Sequence, residues 1–252
     1  MRKSTERFSN RVENYVKYRP GYPSEFIDYL YINVGFSKDS IIADIGSGTG
    51  ILTALLLDRG GRVVGVEPNR EMRKAAEALL GEFPKFVSMD GTAENTGLSS
   101  NSIDYVICAQ AFHWFNRDEC KKEFQRILKP DGKVVLVWNN RKVQESGFSA
   151  EYEGLLRAYA NDYNEVNHKL INNTEFKMFF KNEAFSKVTF SNEQIFNFEG
   201  LKGRLLSSSY APVPGEQNYE TLIMELKKLF DKYETNGKVS FEYETEGYIS
   251  EV

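Results

Sequence analysis

The sequence offers little from which a metal centre or a covalent scaffold could be built. Two cysteines and two histidines are spread over 252 residues. Cys108 and Cys120 have neither metal-knuckle spacing nor the number a disulfide framework needs, so no metal is expected. Cys108 lies in an apolar run and is expected as a buried thiol. No apolar run approaches the roughly 18 residues that cross a bilayer. The opening stretch, MRKSTERFSN, lacks the greasy segment of a secretory leader. These absences predict a cytoplasmic protein with no membrane partner. Positive charge is also in deficit: the net charge is −4, which argues against nucleic acid as a partner. One region reverses that balance. Residues 1–20 carry Arg2, Lys3, Arg7, Arg11, Lys17 and Arg19 against Glu6 and Glu13. Such an arm is either a solvated tail or a strap that folds over a ligand and brings charge to it.

What is present is ordinary for a globular chain, with 41% hydrophobic and 27% charged residues. The length suits one large domain or a domain with a modest addition. SEFIDYLYINV (24–34) predicts a helix capped by Ser24 and closed by Gly35. Short, nearly continuous apolar runs at 41–45, 62–67, 85–89, 102–109 and 133–138 predict strands buried on both faces. Helical patterns separate them: GILTALLLDRG, closed by Gly60-Gly61; NREMRKAAEALLG, with Asn69 as N-cap; and a segment from Asn116 to Leu128, where Asn116 and Glu119 suggest a capping box. KPDG (129–132) predicts a turn in which Gly takes the unusual φ. Strands alternating with helices predict right-handed βαβ units in a doubly wound sheet.

Past Asn140 the pattern changes. Residues 149–182 are expected to be helical, 187–198 a strand or hairpin, 207–215 a loop and 216–233 an amphipathic helix. Residues 238–249 alternate with period two, as an antiparallel strand does. His168 lies in a polar stretch and is expected at the surface.

ADIGSGTGILTALL (43–56) follows a strand and opens a helix, the context of a nucleotide-type ligand. Gly46 and Gly48 fit a dinucleotide fingerprint, but its third position, 51, is Ile. No Lys-Ser/Thr follows, which excludes a P-loop. Glu67 ends the second strand 21 residues after Gly46, where a carboxylate can grip both hydroxyls of a ribose. NAD and S-adenosylmethionine (SAM) both present that diol, so these residues alone leave both open.

Taken in order, ADIGSGTG, GVEPN, DGTAE, SIDYVICAQAFHWF and LKPDGKVVLVW resemble the class I SAM-dependent methyltransferases. YRPGYP (18–23) and SSSY (207–210) further resemble the small-molecule branch that includes trans-aconitate methyltransferases. The resemblance implies a Rossmann-like α/β fold: a doubly wound, mostly parallel seven-stranded sheet with an antiparallel last strand, plus a helical lid. The implied division is an N-terminal arm and helix (1–35), a SAM-binding core (36–141), a lid and acceptor region with the sixth strand (142–235) and a returning last strand (236–252). It implies that Gly46, Ser47, Gly48 and Gly50 admit the methionine part of SAM and that Asp44 orients their loop. Glu67, beside Pro68, would hold the ribose. Asp90, Thr92 and Ala93 would lie along adenine, with Thr92 where many relatives carry Asp. Ala109 and Gln110 would flank the methionine carboxylate and amino group.

Methyl transfer from a sulfonium is an in-line displacement, so positioning dominates the demand on the protein. Tyr18, Tyr22, Phe112, Trp114 and Phe115 are candidates to face the cation. His113 is a candidate base or pocket wall. A carboxylic acid needs no base at neutral pH, but it needs cationic clamps. Arg19, Arg141 and Arg204 are the candidates, with Ser207, Ser209 and Tyr210 adding hydrogen bonds. AQAF after the fourth strand lacks the prolines common in enzymes that methylate base or amide nitrogens. The expected activity is therefore methylation of a small-molecule carboxylate or hydroxyl, by a monomer or homodimer. The rival expectations are a SAM-binding protein without catalysis, an RNA methyltransferase and an NAD-dependent oxidoreductase.

Overall fold

The computed structural model describes residues 11–161, 163 and 173–252. Arg2, Lys3, Arg7, Glu6 and His168 lie outside the described residues. Five strands follow the apolar runs closely: β1 (Ile41–Ile45), β2 (Arg62–Val66), β3 (Phe86–Met89), β4 (Ile103–Ala109) and β5 (Leu128–Arg141). Two more, β6 (Ser186–Phe196) and β7 (Val239–Ser250), complete a seven-stranded sheet of order β3-β2-β1-β4-β5-β7-β6. β1 pairs in parallel with β2 and β4, so the strand order reverses at β1, the point where open α/β sheets bind ligands. The last strand, β7, enters antiparallel between β5 and β6, pairing Leu136 with Tyr248 and Glu246 with Thr189.

Alternate residues of the central strands feed two cores. Ile42, Val63, Ile107 and Val135 face α2 (Ser24–Tyr29) and α3 (Ile51–Asp58). Ala43, Val64, Cys108 and Leu136 face α5 (Arg117–Ile127). Both cysteines are buried free thiols, and burial pushes Cys108 well above its usual range. β7 keeps the expected alternation: Val239, Phe241 and Tyr243 are buried while Ser240 and Glu242 are exposed. Its buried side supports a third core with α6 (Phe148–Tyr159), α8 (Phe198–Leu206) and α9 (Tyr219–Tyr233), the helices expected as a lid. α7 (Asn173–Phe179) goes elsewhere: Phe176 and Phe179 join the core beneath β4 and β5.

Local expectations failed where a neighbour mattered more than the motif. Pro23, not Ser24, precedes the first helical residue of α2, and the Ser24 hydroxyl turns to Glu25. α2 continues into a π-helical turn, Leu30–Val34, before Gly35 closes it at φ 105°. KPDG does not break the strand. It bulges out of β5, whose pairing with β4 jumps from Ile103–Leu128 to Tyr105–Lys133. Gly132 is required for closeness rather than φ, since a Cβ there would lie 2.8 Å from Leu128 Cδ2. The capping box is half formed. Asn116 accepts from the Glu119 N–H, but its own N–H donates to Glu94. Asn69 caps α4 (Arg70–Leu80) as expected, accepting from the N–H groups of Glu71 and Met72.

The start of the described chain is strapped to α8. α1 (Val12–Tyr18) crosses α8, where the Tyr18 ring lies directly on Gly203 and leaves no room for a Cβ. Arg11 donates to the carbonyls of Leu206 and Ala211 at 2.9 and 2.5 Å. Gly21 O accepts from the amides of Asn139 and Asn192. The described helices include none long and apolar enough to cross a membrane.

Candidate functional site

Two cavities meet at the carboxyl ends of β1 and β4. Tyr15, Gly46, Ala109, Gln110 and Trp114 line both. The first cavity runs along the glycine loop toward β2 and the segment after β3. Its walls include Gly48, Glu67, Pro68, Thr92 and Ala93. Gly46 sits at φ 72° with Ala111 so close that a Cβ would approach to 2.6 Å. Gly48, at φ 57°, faces open space: a Cβ there would meet only Tyr15 Cε1, at 3.9 Å. The bare backbone therefore serves a concavity as well as a turn.

Glu67 closes this cavity at its far end. It is 9% exposed, and its two oxygens accept from the N–H groups of Gly48 (3.0 Å) and Asn69 (2.8 Å). Burial pushes its carboxyl up, and those two bonds pull it part of the way back. Each oxygen keeps a lone pair for a further donor. Asp44 is deeper, at 1% exposure, and lines the neighbouring cavity. One oxygen accepts from Thr53 Oγ1 at 2.6 Å, while the other is buried without a partner. Burial raises its carboxyl to about 7, with the Thr53 bond opposing and Glu67 adding to the rise. An orphaned, buried acceptor beside a bare glycine loop fits a ligand that brings an ammonium or sulfonium cation. Gln110, at the end of β4, holds φ 56° while its N–H bonds Val137 O. Such a conformation costs a non-glycine residue about 1–3 kcal/mol and marks ligand sites.

The second cavity reaches α1, α6 and α8. Arg19 after α1, Arg141 at the end of β5 and Arg204 in α8 all line it, with Ser209, Tyr210 and His113. Arg204 is 8% exposed and donates to Tyr243 Oη (3.3 Å) and Ser208 Oγ (3.1 Å). Tyr243 in turn donates to Gln194, whose amide holds Tyr18 O. Arg19 donates to Ser207 O at 3.0 Å and stacks 4.8 Å from the Tyr15 ring. Burial, then the nearby Arg204 charge, push the Arg19 guanidinium down from its usual value. Among the described residues neither Arg19 nor Arg204 has a carboxylate partner.

A family model described as a methyltransferase domain matches residues 43–136. An uncharacterised methyltransferase of Oceanobacillus iheyensis is 30% identical over 149 residues, which are 54% of this chain and 68% of that relative. The chain belongs to the methyltransferase family.

A second relative, an uncharacterised methyltransferase of Mycobacterium tuberculosis, is 41% identical over 134 residues, 53% of this chain and 52% of its own. The chain thus spans about half the length of the first curated relatives it matches. Its fold is also that of phosphoethanolamine N-methyltransferase 2 of Haemonchus contortus, crystallised with S-adenosyl-L-methionine. That likeness has a TM-score of 0.56 at 18% identity and covers 99% of this chain and 59% of the other. The YcgJ protein of Bacillus subtilis gives TM-score 0.56 at 18% identity, covering 91% and 100%.

Several candidate residues stand away from both cavities. Gly50 caps α3 at φ 83° and packs on α4, where a Cβ would lie 2.5 Å from Leu80 Cδ1. The Asp90 carboxylate is turned to Arg73 at 2.9 Å, with 72% of its side chain exposed. Tyr18 packs on Gly203 instead of facing the site, and Phe112 is fully buried against Trp138 and Phe179. The Ser207 hydroxyl donates to Arg204 O, so only its carbonyl works for the site, holding Arg19. Thr92 does line the first cavity, but its hydroxyl accepts from the Asn95 N–H in a local turn. Sequence reasoning missed Tyr15, Glu153 and Tyr163, which line one or both cavities, whereas Glu94 lies in the 91–94 segment expected along adenine and lines the first cavity. The spacing of Tyr15 on α1 relative to the basic residues was the only signal for it. Glu153 and Tyr163 carried none.

Proposed function

We propose that this chain transfers a methyl group from SAM to a small organic acid. The observation that carries the reading is the pair of guanidiniums, Arg19 and Arg204, facing a cavity that opens onto the glycine loop. A buried charge without a partner costs several kcal/mol, roughly, so a site of this kind is built for an anion that arrives. YRPGYP contributes Arg19, and SSSY follows Arg204 closely, so the small-molecule resemblance falls on the same wall.

When bound, SAM supplies an electrophilic methyl on a good leaving group. The chain's residues do the rest. Glu67 accepts from the ribose hydroxyls, and the bare backbone at Gly46 and Gly48 admits the methionine part. The free oxygen of Asp44 accepts from its ammonium. Glu94, a carboxylate in the wall near Thr92 and Ala93, replaces Asp90 as the acidic group at the adenine end. Arg19 and Arg204 orient the acid, whose ionised oxygen is the nucleophile. Tyr15, set against both cavities, excludes water between donor and acceptor. Holding the partners in this way can supply roughly 7–11 kcal/mol.

A hydroxyl acceptor is the second reading. It is favoured by His113, which lines the acceptor cavity beside Trp114 with ring centroids 4.6 Å apart. The test is SAM-dependent formation of S-adenosylhomocysteine across small acids, phenols and amines. Turnover confined to acids and retained in His113→Ala supports the first reading. Turnover of phenols that vanishes in that variant supports the second, and no turnover with any acceptor removes both.

A further inference from the structure

The three arginines of the acceptor cavity are not equivalent. Arg19 and Arg204 carry no ion pair among the described residues, whereas Arg141 is already matched. Its Nη2 lies 2.6 Å from Glu153 Oε2, with the two side chains only 12% and 14% exposed. The same Glu153 oxygen accepts from Tyr163 Oη at 2.8 Å, and Arg157 approaches the other oxygen at 3.5 Å. The Arg141 guanidinium is also held over the rings of Tyr152 and Phe241, at 4.6 and 5.3 Å. Burial alone would raise the Glu153 carboxyl, but the Tyr163 bond and Arg141 outweigh it and hold it below the usual carboxylate range. Glu153, Tyr163 and Arg141 all line the cavity that Arg19 and Arg204 line. The stretch of wall at Arg19 and Arg204 is therefore cationic and the stretch at Arg141 is charge-balanced, while the Asp44 carboxyl lines the same cavity on the side of the glycine loop.

The unbalanced stretch is also the compact one. Arg19 reaches Ser207 O and Arg204 reaches Ser208 Oγ, adjacent residues of one turn. An acid with two carboxylates satisfies these two guanidiniums. A third carboxylate would have to lie against the Arg141–Glu153 pair and meet a fixed negative charge at close range, in a setting where water screens it poorly.

We propose that Glu153 is a specificity-determining residue: by occupying Arg141 it sets the negative charge the cavity accepts at two and turns away acids that carry a third carboxylate. Glu153 touches no reacting atom in this scheme. It acts by removing Arg141 from the set of free cations. The inference rests on the reading of the cavity as a site for an anionic acceptor.

The test compares two probes that differ by one carboxylate, glutarate and propane-1,2,3-tricarboxylate. Their binding is measured by calorimetry on the full chain saturated with S-adenosylhomocysteine. The wild type should bind glutarate more tightly. In Glu153→Gln, which keeps the shape and the Tyr163 contact but frees Arg141, the preference should move toward the tricarboxylate by tenfold or more. A merely structural role for Glu153 would weaken both probes alike and leave their ratio unchanged. Arg204→Met separates the levels of the argument. If it abolishes binding of both probes while Glu153→Gln leaves the ratio where it was, the specificity role is overturned and the anionic site stands. If the wild type binds neither probe, or Arg204→Met binds them as well as the wild type, the anionic reading falls and this inference falls with it. Affinity for S-adenosylhomocysteine in each variant reports whether the fold is intact.

Discussion

The two cavities are made in different ways. Apart from Tyr15 of α1, the glycine-loop cavity is lined by the ends of successive strands and the segments that follow them, from Gly46 to Phe115. Gly46, Gly48 and Glu67 are set by β1, the turn after it and the end of β2. The acceptor cavity is made of long side chains from segments far apart in sequence: Arg19 after α1, Arg141 from β5, Glu153 from α6 and Arg204 from α8. A ligand common to many relatives can be held by local geometry. A ligand particular to one is held by whichever side chains the lid brings together, so specificity belongs to the less local half of the molecule.

The comparison can be broken most severely at Glu67. Glu67→Ala removes the carboxylate proposed to hold a ribose and also releases the N–H groups of Gly48 and Asn69. Calorimetry should show SAM affinity falling by roughly 100-fold or more. A fall of less than about fivefold would remove the ribose assignment. Arg204→Met should do the converse. Acceptor kcat/KM should fall by about 100-fold, as expected for truncating one partner of a buried charge contact, with SAM affinity nearly unchanged. A parallel loss of SAM affinity would mean that the two cavities are not separable.

Gly203→Ala probes the strap rather than either cavity. The added methyl collides with the Tyr18 ring and should lower stability to urea by about 1–3 kcal/mol. A neutral result would mean that α1 is not seated on α8. The smallest effect is a pH dependence at Asp44. Its carboxyl titrates at about 7 in the folded chain, above its ordinary value of 3.8, because burial disfavours the ion. A cationic ligand favours that ion, so SAM binding should strengthen between about pH 6 and about pH 7, by less than about tenfold, and then level off. The sign for stability is the opposite. The folded state holds the extra proton, so this group favours folding most at low pH, and its contribution is lost as pH rises from about 4 to about 7. In Asp44→Asn both dependences should disappear.

The unequal legibility of the two cavities follows from their construction. Strand and helix periodicity exposed β1 to β5, and the period-two pattern of 238–249 exposed β7, because burial on one or both faces is written directly into residue order. KPDG and Ser24 misled because their outcomes depend on contacts outside the motif: the bulge beside β4 in one case and Pro23 in the other. Gly50 and Asp90 were credited to the ligand, yet one packs on Leu80 and the other pairs with Arg73. No local pattern distinguishes those fates. Arg19, Arg141 and Arg204 could be named as candidate clamps, but that they face one cavity could not be read from positions more than 180 residues apart between first and last. Glu153 was invisible because an acid on an amphipathic helix is ordinarily a solvated one.

The central claim is that a methyl donor held by the glycine loop meets an ionised acid held by two arginines, Arg19 and Arg204, that have no ion pair among the described residues. Its most direct test is S-adenosylhomocysteine formation from the best acid of a small-molecule panel and from its primary amide, measured side by side under saturating SAM. The account predicts turnover of the acid and none above background with the amide, and loss of the acid's turnover in Arg204→Met. Equal turnover of acid and amide would contradict it.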